Sequence, residues 1–504
     1  MYTDNYSDRL SSVLQLKSAD VDDISFSSVR DIFTGCADFE WRKINIGLKN
    51  RFYIYICWLD GLVSGEDISD NIIRPLSLPD IAEASSDADA LFKNILYGGA
   101  FSYSARSRSR LSQLTSDLTH GRCAVIFDSI GRGMSFDVKS SSVRAVSEPT
   151  LEKSLKGAKD SFTETLRVNT SLVRRRICSP QLKLVESTVG RRSRTGVSIM
   201  FVEGIINPDI VKETARRLDE LDIDALLATG SLEEYIVDCP ASPFPQLIHT
   251  ERPDRFAMYL MDGRLGILID GLPVGLVLPV TFAEFMKVTG DSNMHFLVTC
   301  GLNLLRYLAL GLSIFLPAFY VAVAMYHQEM LPSKLLLSII AAKQDVPFST
   351  AFEVLCMIIA FGLLQEAGLR LPNPIGDTVS IIGALIVGQS AVEARVVSPI
   401  AIIIVAVSGI SCYTLPSQDM GSAVRLIQLG LLAASILGGL FGLSAAVCIL
   451  LLILSSIDSF GVNYTAPLSD GRPWGLFRLL FHGPKSKNRH RDPLLEPLDR
   501  RRQK

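Results

Sequence analysis

The chain of 504 residues lacks the devices that usually carry enzyme chemistry. It has no Walker loop, no GxSxG, no HExxH and no GxGxxG after a strand, so the common phosphate, acyl, zinc and dinucleotide chemistries have no carrier. Its nine cysteines (Cys36, Cys57, Cys123, Cys178, Cys239, Cys300, Cys356, Cys412 and Cys448) are scattered. None forms CxxC or pairs with histidine at ligand spacing, so isolated reduced thiols are expected and no metal or redox centre. The six histidines are dispersed; His249 and His327 have no partner that spacing reveals. An excess of positive charge is missing too: 50 Lys and Arg face 52 Asp and Glu, a net −2, which argues against a nucleic-acid partner. The N-terminus MYTDNYSDRLSSVLQLKSADVDD has no basic-then-apolar pattern, so no signal peptide is expected. No cofactor is implied, and no enzyme activity is expected.

What is present is a split composition. Residues 1 to about 295 are polar and mixed in charge; residues 296–460 are mostly apolar. The fold expected is an α/β cytosolic region of two related subdomains, followed by an all-α polytopic membrane domain with broken or re-entrant helices. The expected boundaries are a helical extension (1–35), a first α/β subdomain (36–147), a connecting amphipathic helix (148–180), a second α/β subdomain (181–290), a membrane domain (291–467) and a basic tail (468–504).

The relation between the subdomains rests on spacing. Gly121, Arg122, Asp128, Gly133 and Val138 each recur 142 positions later as Gly263, Arg264, Asp270, Gly275 and Val280, and the Asp60-Gly61 turn recurs as Glu203-Gly204. A kept offset across separate segments points to a duplication. Segments 51–76, 121–138, 197–218 and 263–280 read as strand–turn–helix or strand–turn–strand, and 84–120 as loop plus helix. Between the copies, Leu151, Leu155, Ala158, Phe162 and Leu166 recur at helical steps, giving an apolar face that runs on to Arg174, Arg175 and Arg176, read as a solvated helix end. Residues 238–254 carry Pro240, Pro243, Pro245 and Pro253 and read as an extended connector. Within it Glu251, Arg252, Pro253 and Asp254 read as a strut of local ion pairs.

In the apolar half, Tyr307–Tyr326 and Val396–Leu415 are uncharged runs of about bilayer length. Leu426–Ile457 is uncharged for 32 residues, about 48 Å as a straight helix. It is either one long tilted helix or two spans that break near Gly438, Gly439 and Gly442. Residues 354–364 and 378–392 are short and flanked by charge, so spans and re-entrant segments both remain open. From Gly471 the tail has ten Lys or Arg against three acids. That puts the tail in the cytoplasm; with no export signal the N-terminal region is expected there too, which requires an even number of crossings, four or six. Part of the tail, from Arg472 to Phe481, reads as a stretch that could lie on the inner leaflet; beyond Pro484 a solvated disordered tail is the other reading.

One stretch breaks the apolar pattern. Residues 353–399 carry Glu353, Glu366, Arg370, Asp377, Gln389, Glu393 and Arg395 among Gly368, Pro372, Pro374, Gly376, Gly383 and Gly388. Charge at bilayer depth costs about 2.5–3.5 kcal/mol per residue, and broken backbone survives there only inside protein or along water. The stretch therefore reads as the wall of a polar path or a buried interface. Glu353, Glu366, Glu393 and Gln389 are the pore-lining candidates, with Arg370, Asp377 and Arg395 as ion-pair partners. The competing reading is that these groups pair with one another and hold broken helices together.

These segments resemble the A subunit of the GerA family of spore germination receptors. The matching stretches are EPTLEKSLKGAKDSFTETLRVNTSLVRRRI (148–177), FPQLIHTERPD (244–254), LPAFYVA (316–322), VPFSTAFE (346–353), QEAGLRLPNPIGDTVSIIGALIVGQSAVEARVVSP (365–399) and SFGVNYTAP (459–467). The resemblance implies an inner-membrane protein of the dormant endospore. It implies work with a permease-like B subunit and a C-subunit lipoprotein, and self-association, possibly as a pentamer, into a nutrient-gated cation channel. The stage V sporulation AF type shares the motifs. A non-conducting scaffold subunit and a transporter subunit are the competing functions.

Overall fold

The computed structural model describes residues 6–7, 10, 23–46, 52–76, 87–97, 105–139, 148–149, 152, 157–370, 388–469, 480–481, 483 and 489–503. The first α/β unit runs α1 (Phe26–Ile32), β1 (Phe39–Ile46), β2 (Phe52–Leu59), a helical segment at 65–76, α2 (Ala88–Leu96), β3 (Ala105–Arg108), α3 (Leu111–Thr119), β4 (Cys123–Phe127) and β5 (Arg132–Phe136). The second runs α4 (Leu166–Arg176), β6 (Leu182–Val189), β7 (Thr195–Val202), α5 (Pro208–Asp219), α6 (Thr229–Ile236), β8 (Ile248–Thr250), α7 (Pro253–Met261), β9 (Leu265–Ile269) and β10 (Gly275–Leu278).

The duplication extends to topology. The sheets have orders β1-β2-β4-β5-β3 and β6-β7-β9-β10-β8, identical once each strand is matched to its counterpart, and every pairing is antiparallel. Alternating side chains on each strand bury both faces. In the second unit, Ile210, Val211 and Leu218 cover one face, and Val173, Phe256 and Leu260 cover the other. The recurring residues explain themselves in space. Asp128 accepts from the amide of Phe26 (2.7 Å), and Asp270 accepts from the amide of Leu166 (3.0 Å). Each aspartate thus caps the first helix of its own unit from the far end of a strand. Gly133 and Gly275 lie under Leu114 and Phe256, where a Cβ would crowd those side chains.

Several expectations are corrected. The helix between the copies does not run through 158–165, which is irregular; it starts at Leu166 and is the first element of the second unit. Phe162 is buried there without a helix, stacked edge-on against Phe256 at 5.5 Å. The basic cluster is not a solvated end. Arg174 is fully buried and forks onto Asp38 at 2.8 and 3.0 Å, clamping the two units together. Arg176 pairs with Asp160, and Arg175 is exposed. Segment 84–120 includes the edge strand β3, and the proline-rich connector ends in the edge strand β8.

The helical part begins with α8 (Phe296–Tyr326), anchored at its base by Arg306 on Asp291 (2.5 and 2.9 Å). Then follow α9 (Ser333–Lys343), α10 (Thr350–Arg370), α11 (Pro399–Tyr413) and α12 (Gln418–Ser456). Among the described residues, α8, α10 and α12 are long and apolar enough to cross a membrane; α11, with 15 residues, is shorter. Pro317 inside α8 has no N–H, so the carbonyl of Ser313 loses its helical donor. The Ser408 hydroxyl of α11 donates to that carbonyl (3.1 Å), and Gln428 of α12 donates to the same hydroxyl (2.7 Å).

α12 is a hairpin, which decides between the two readings of the long apolar run. Gly439 breaks it with φ 57° and ψ −138°, a conformation glycine adopts without steric cost. A Cβ on Gly442 would overlap the Ala434 carbonyl across the turn. At the turn, Tyr326 donates to the Ile436 carbonyl (2.5 Å). Both open ends return to the second α/β unit: Asp419 meets His249 (3.1 Å), while Ser459 accepts from Val280 N (3.2 Å) and Tyr464 donates to Pro245 O (2.9 Å). The first arm starts at Gln418 and includes Arg425, earlier than the uncharged run. The tail also docks: Leu498 N donates to Ile205 O (2.9 Å), Arg491 to Met261 O (2.8 Å), and Arg502 pairs with Asp262. Residues 472–479 of the proposed leaflet stretch lie outside the described residues.

Removing either repeat cap should leave one helical N–H without its acceptor. Asp128→Ala and Asp270→Ala are each expected to cost about 1 kcal/mol, and the Asn variants less. Melting of the purified chain checks this; an unchanged midpoint in both alanine variants would refute the capping role.

Candidate functional site

The candidates gather on α10, on the helical turn at 388–393 and at the start of α11. α10 forms because TAFEVLCMIIAFGLLQEAGLR holds no proline and few β-branched residues. α11 starts at Pro399 behind Ser398, whose hydroxyl accepts from Ala401 N, a favourable start signal. Glu353 lies in the first turn of α10 and is fully buried. Its Oε2 accepts from Ser398 N (2.9 Å), and its Oε1 lies 3.5 Å from Lys343 Nζ. This carboxylate therefore sits at the positive end of α11, tying α9, α10 and α11 together. Lys343 also reaches Thr350 Oγ1 at 2.5 Å.

The other candidates occupy different ground. Glu366 is exposed, 13 residues further along α10 and so about 20 Å away along the helix axis. Gln389 and Glu393 are exposed and hydrogen-bonded to each other (3.0 Å). Arg395, with φ 56°, pairs with Asp345 (3.1 Å), and among the described residues with no candidate acid. Asp377 and Gly383 lie outside the described residues, as does the side chain of Arg370. Within one protomer the three glutamates are not brought together.

The TERPD segment forms a second cluster. Pro253 opens α7. Arg252 is buried and forks onto Asp254 (3.0 and 2.7 Å). Thr250 donates to Glu152 (2.6 Å), and Glu152 also pairs with Arg255. The Glu251 carbonyl accepts from Phe162 N (2.8 Å). The segment thus pins residues 152 and 162 against the sheet edge.

One member of the junction was not legible in sequence. His249 stands on β8 between two carboxylates: Asp419 of α12 at 3.1 Å from Nδ1, and Glu233 of α6 at 3.5 Å from Nε2. Its partners lie 16 and 170 residues away, and no local signal announces them. Beside it is a 270 Å³ cavity lined by Glu152, Arg255, Phe285, Ser417 and Asp419. A 430 Å³ cleft lined by Glu233, Glu234, Phe244, Ser422 and Leu426 lies on the other side. Burial pushes the imidazole pKa down, but the Asp419 hydrogen bond and the charges of Asp419 and Glu233 more than offset it, and the net shift is upward. Burial raises the Glu233 carboxyl, with His249 opposing. No group of three or more His, Cys, Asp or Glu among the described residues is arranged to hold a metal ion.

A family model described as Bacillus/Clostridium GerA spore germination protein matches residues 27–494. The chain belongs to the GerA family. Spore germination protein KA of Bacillus subtilis (strain 168) is 34% identical over 92% of this chain and 84% of its own length. Spore germination protein GerLA of Bacillus cereus is 30% identical over 88% and 89%. A relative described as the uncharacterized membrane protein YfkQ, also from Bacillus subtilis (strain 168), is 35% identical over 86% of this chain and 83% of its own length. Among solved structures, the N-terminal domain of the A subunit of the Bacillus megaterium spore germinant receptor GerK3 matches at 29% identity, covering 53% of this chain and 99% of that chain, with a TM-score of 0.42.

Two outcomes follow for this GerA chain. Glu353→Ala leaves the buried Ser398 amide without its acceptor and takes the ion-pair partner from Lys343, which keeps Thr350; losing such a charge-assisted hydrogen bond costs about 1.5–3 kcal/mol. The detergent-solubilised variant should melt earlier; an unchanged melt would show that Glu353 holds nothing. For His249, a raised folded pKa means that its stabilisation is complete below the unfolded value of about 6.5 and fades as pH rises through the folded value. His249→Gln should remove that slope from a melting-versus-pH series while leaving other slopes alone.

Proposed function

We propose that the chain is the A subunit of a germinant receptor in the inner membrane of the endospore, and that several copies close into a ring that conducts cations when nutrient is sensed. The observation that carries this reading is the exposure of Glu366 and Glu393 on the surface of an otherwise apolar bundle. Facing lipid, Glu366 on the apolar helix α10 would be penalised by up to about 2.5–3.5 kcal/mol; Glu393, two residues from Arg395, lies nearer the membrane boundary. Water in a pore, or a neighbouring subunit, removes that penalty, and rings of acids favour cations. Glu353 is set apart from this role, because it is buried inside the protomer with Oε2 on the Ser398 amide.

Topology supports the rest. The base of α8 and both open ends of the α12 hairpin lie beside the α/β region, so an even number of crossings brings the tail back to it. With ten Lys or Arg against three acids from Gly471 onward, that face is taken as cytoplasmic. The exposed apolar surface, including Leu437, Phe441 and Leu452, offers area for lipid, for further copies, and for a permease-like B subunit with its lipoprotein.

Liposomes carrying the chain, alone and with its partners, test the proposal. Glu366→Gln and Glu393→Gln should lower cation conductance several-fold and slow germination at unchanged protein level. Wild-type behaviour of both variants would remove these acids from the path. No current even with partners present would leave the chain a scaffold.

A further inference from the structure

α9, reading SKLLLSIIAAK, is apolar on nearly every side, yet only Ile339 is buried. Leu335, Leu337 and Ile340 are 46%, 66% and 53% exposed. The hydroxyl of Ser338 turns back onto the Lys334 carbonyl (3.0 Å), a bond internal to the helix that asks nothing of solvent. A helix with this surface needs an apolar cover.

Its depth is set by its last residue. Lys343 bonds Thr350 and pairs with Glu353, and Ala351 and Val354 beside them pack in one cluster with Tyr320 and Val321. Tyr320 lies six residues before the end of α8, about 9 Å below it along the axis. The uncharged part of α8, Tyr307–Tyr326, spans about 30 Å. α9 is therefore tied to the last part of the hydrocarbon span, on the side away from the α/β region. It also connects the end of α8 to the start of α10, so both of its ends belong to that end of the bundle. Around it, Tyr326, Phe348, Phe352, Lys334 and Arg395 are exposed. Aromatic and basic side chains at one level are the composition of a membrane–water boundary.

We propose that α9 is an interfacial helix whose partner is the lipid leaflet opposite the α/β region. Leu337 and Ile340 enter the acyl chains, and Lys334 reaches back to the headgroups. This rests on the membrane reading given above, and the test separates the two. The chain is reconstituted in phosphatidylcholine–phosphatidylglycerol nanodiscs and carries a nitroxide label at one of three positions. These are native Cys448, which is exposed on the second arm of α12, in a Cys178→Ser chain, and Leu337→Cys or Ile340→Cys in a Cys178→Ser/Cys448→Ser chain. Leu227→Cys, on the exposed surface of the α/β region, is the aqueous reference. Collision with oxygen relative to a water-soluble nickel chelate should be several-fold higher at 337 and 340 than at 227, and lower than at 448. Nickel access at 337 and 340 with oxygen access at 448 overturns the proposal alone. Immobile labels at 337 and 340 that neither quencher reaches mean that a second copy covers α9, and this also overturns it. Aqueous behaviour at 448 overturns the membrane reading itself, and this proposal with it.

Discussion

Pro317 leaves the Ser313 carbonyl without a helical donor in a place where water is not at hand, and the bundle is arranged to supply the missing hydrogen bond. An unpaired carbonyl in an apolar interior costs several kcal/mol. Ser408 and Gln428 meet that need from two other helices, and Ser435 donates to the neighbouring Ala318 carbonyl. One backbone defect thus fixes the relative height of α8, α11 and the first arm of α12. Glu353 does the same at the far end, where it binds the opening amide of α11. The register of the helices comes from polar groups with one good partner each, since apolar contacts alone tolerate sliding.

The same logic runs through the α/β region. Arg174 and Asp38 are buried together, and Arg174 also donates to the Leu182 carbonyl. The loop before β1 pairs with Leu184 on β6, so the edge of the second sheet is covered by the first unit. Edge strands left open invite unwanted pairing. The two copies therefore behave as one support, and the hydrophobic core of the second copy continues into the helices through Ile314, Ala318 and Leu443.

Much of this was legible in residues 1–290. The duplication could be read because Asp128 and Asp270 perform one task, capping, at one offset, and β2, β4, β7 and β9 were long enough to show their period. β3 and β8, with four and three residues, are too short to carry a pattern. The helix start at Leu166 is hidden in the sequence because Ala158 and Phe162 continue the apolar spacing, while the amide of Phe162 bonds the Glu251 carbonyl and its ring packs on Phe256. In the helical part, the break at Gly439 is one of the three glycines that the sequence points to, but the first arm begins at Gln418, eight residues before the uncharged run, because Arg425 interrupts the apolar pattern. The site was least legible. Glu353 with Ser398 and His249 with Asp419 are 45 and 170 positions apart, and only the folded chain makes them neighbours.

The hairpin of α12 closes a loop: it leaves the second α/β unit at Asp419 and comes home at Ser459. Such a loop transmits force differently from a single rod. Movement of either arm therefore reaches the α/β unit at two separate points, Asp419 on His249 and Ser459 on Val280. Unequal movement of the two points would tilt that unit, whereas equal movement would only shift it.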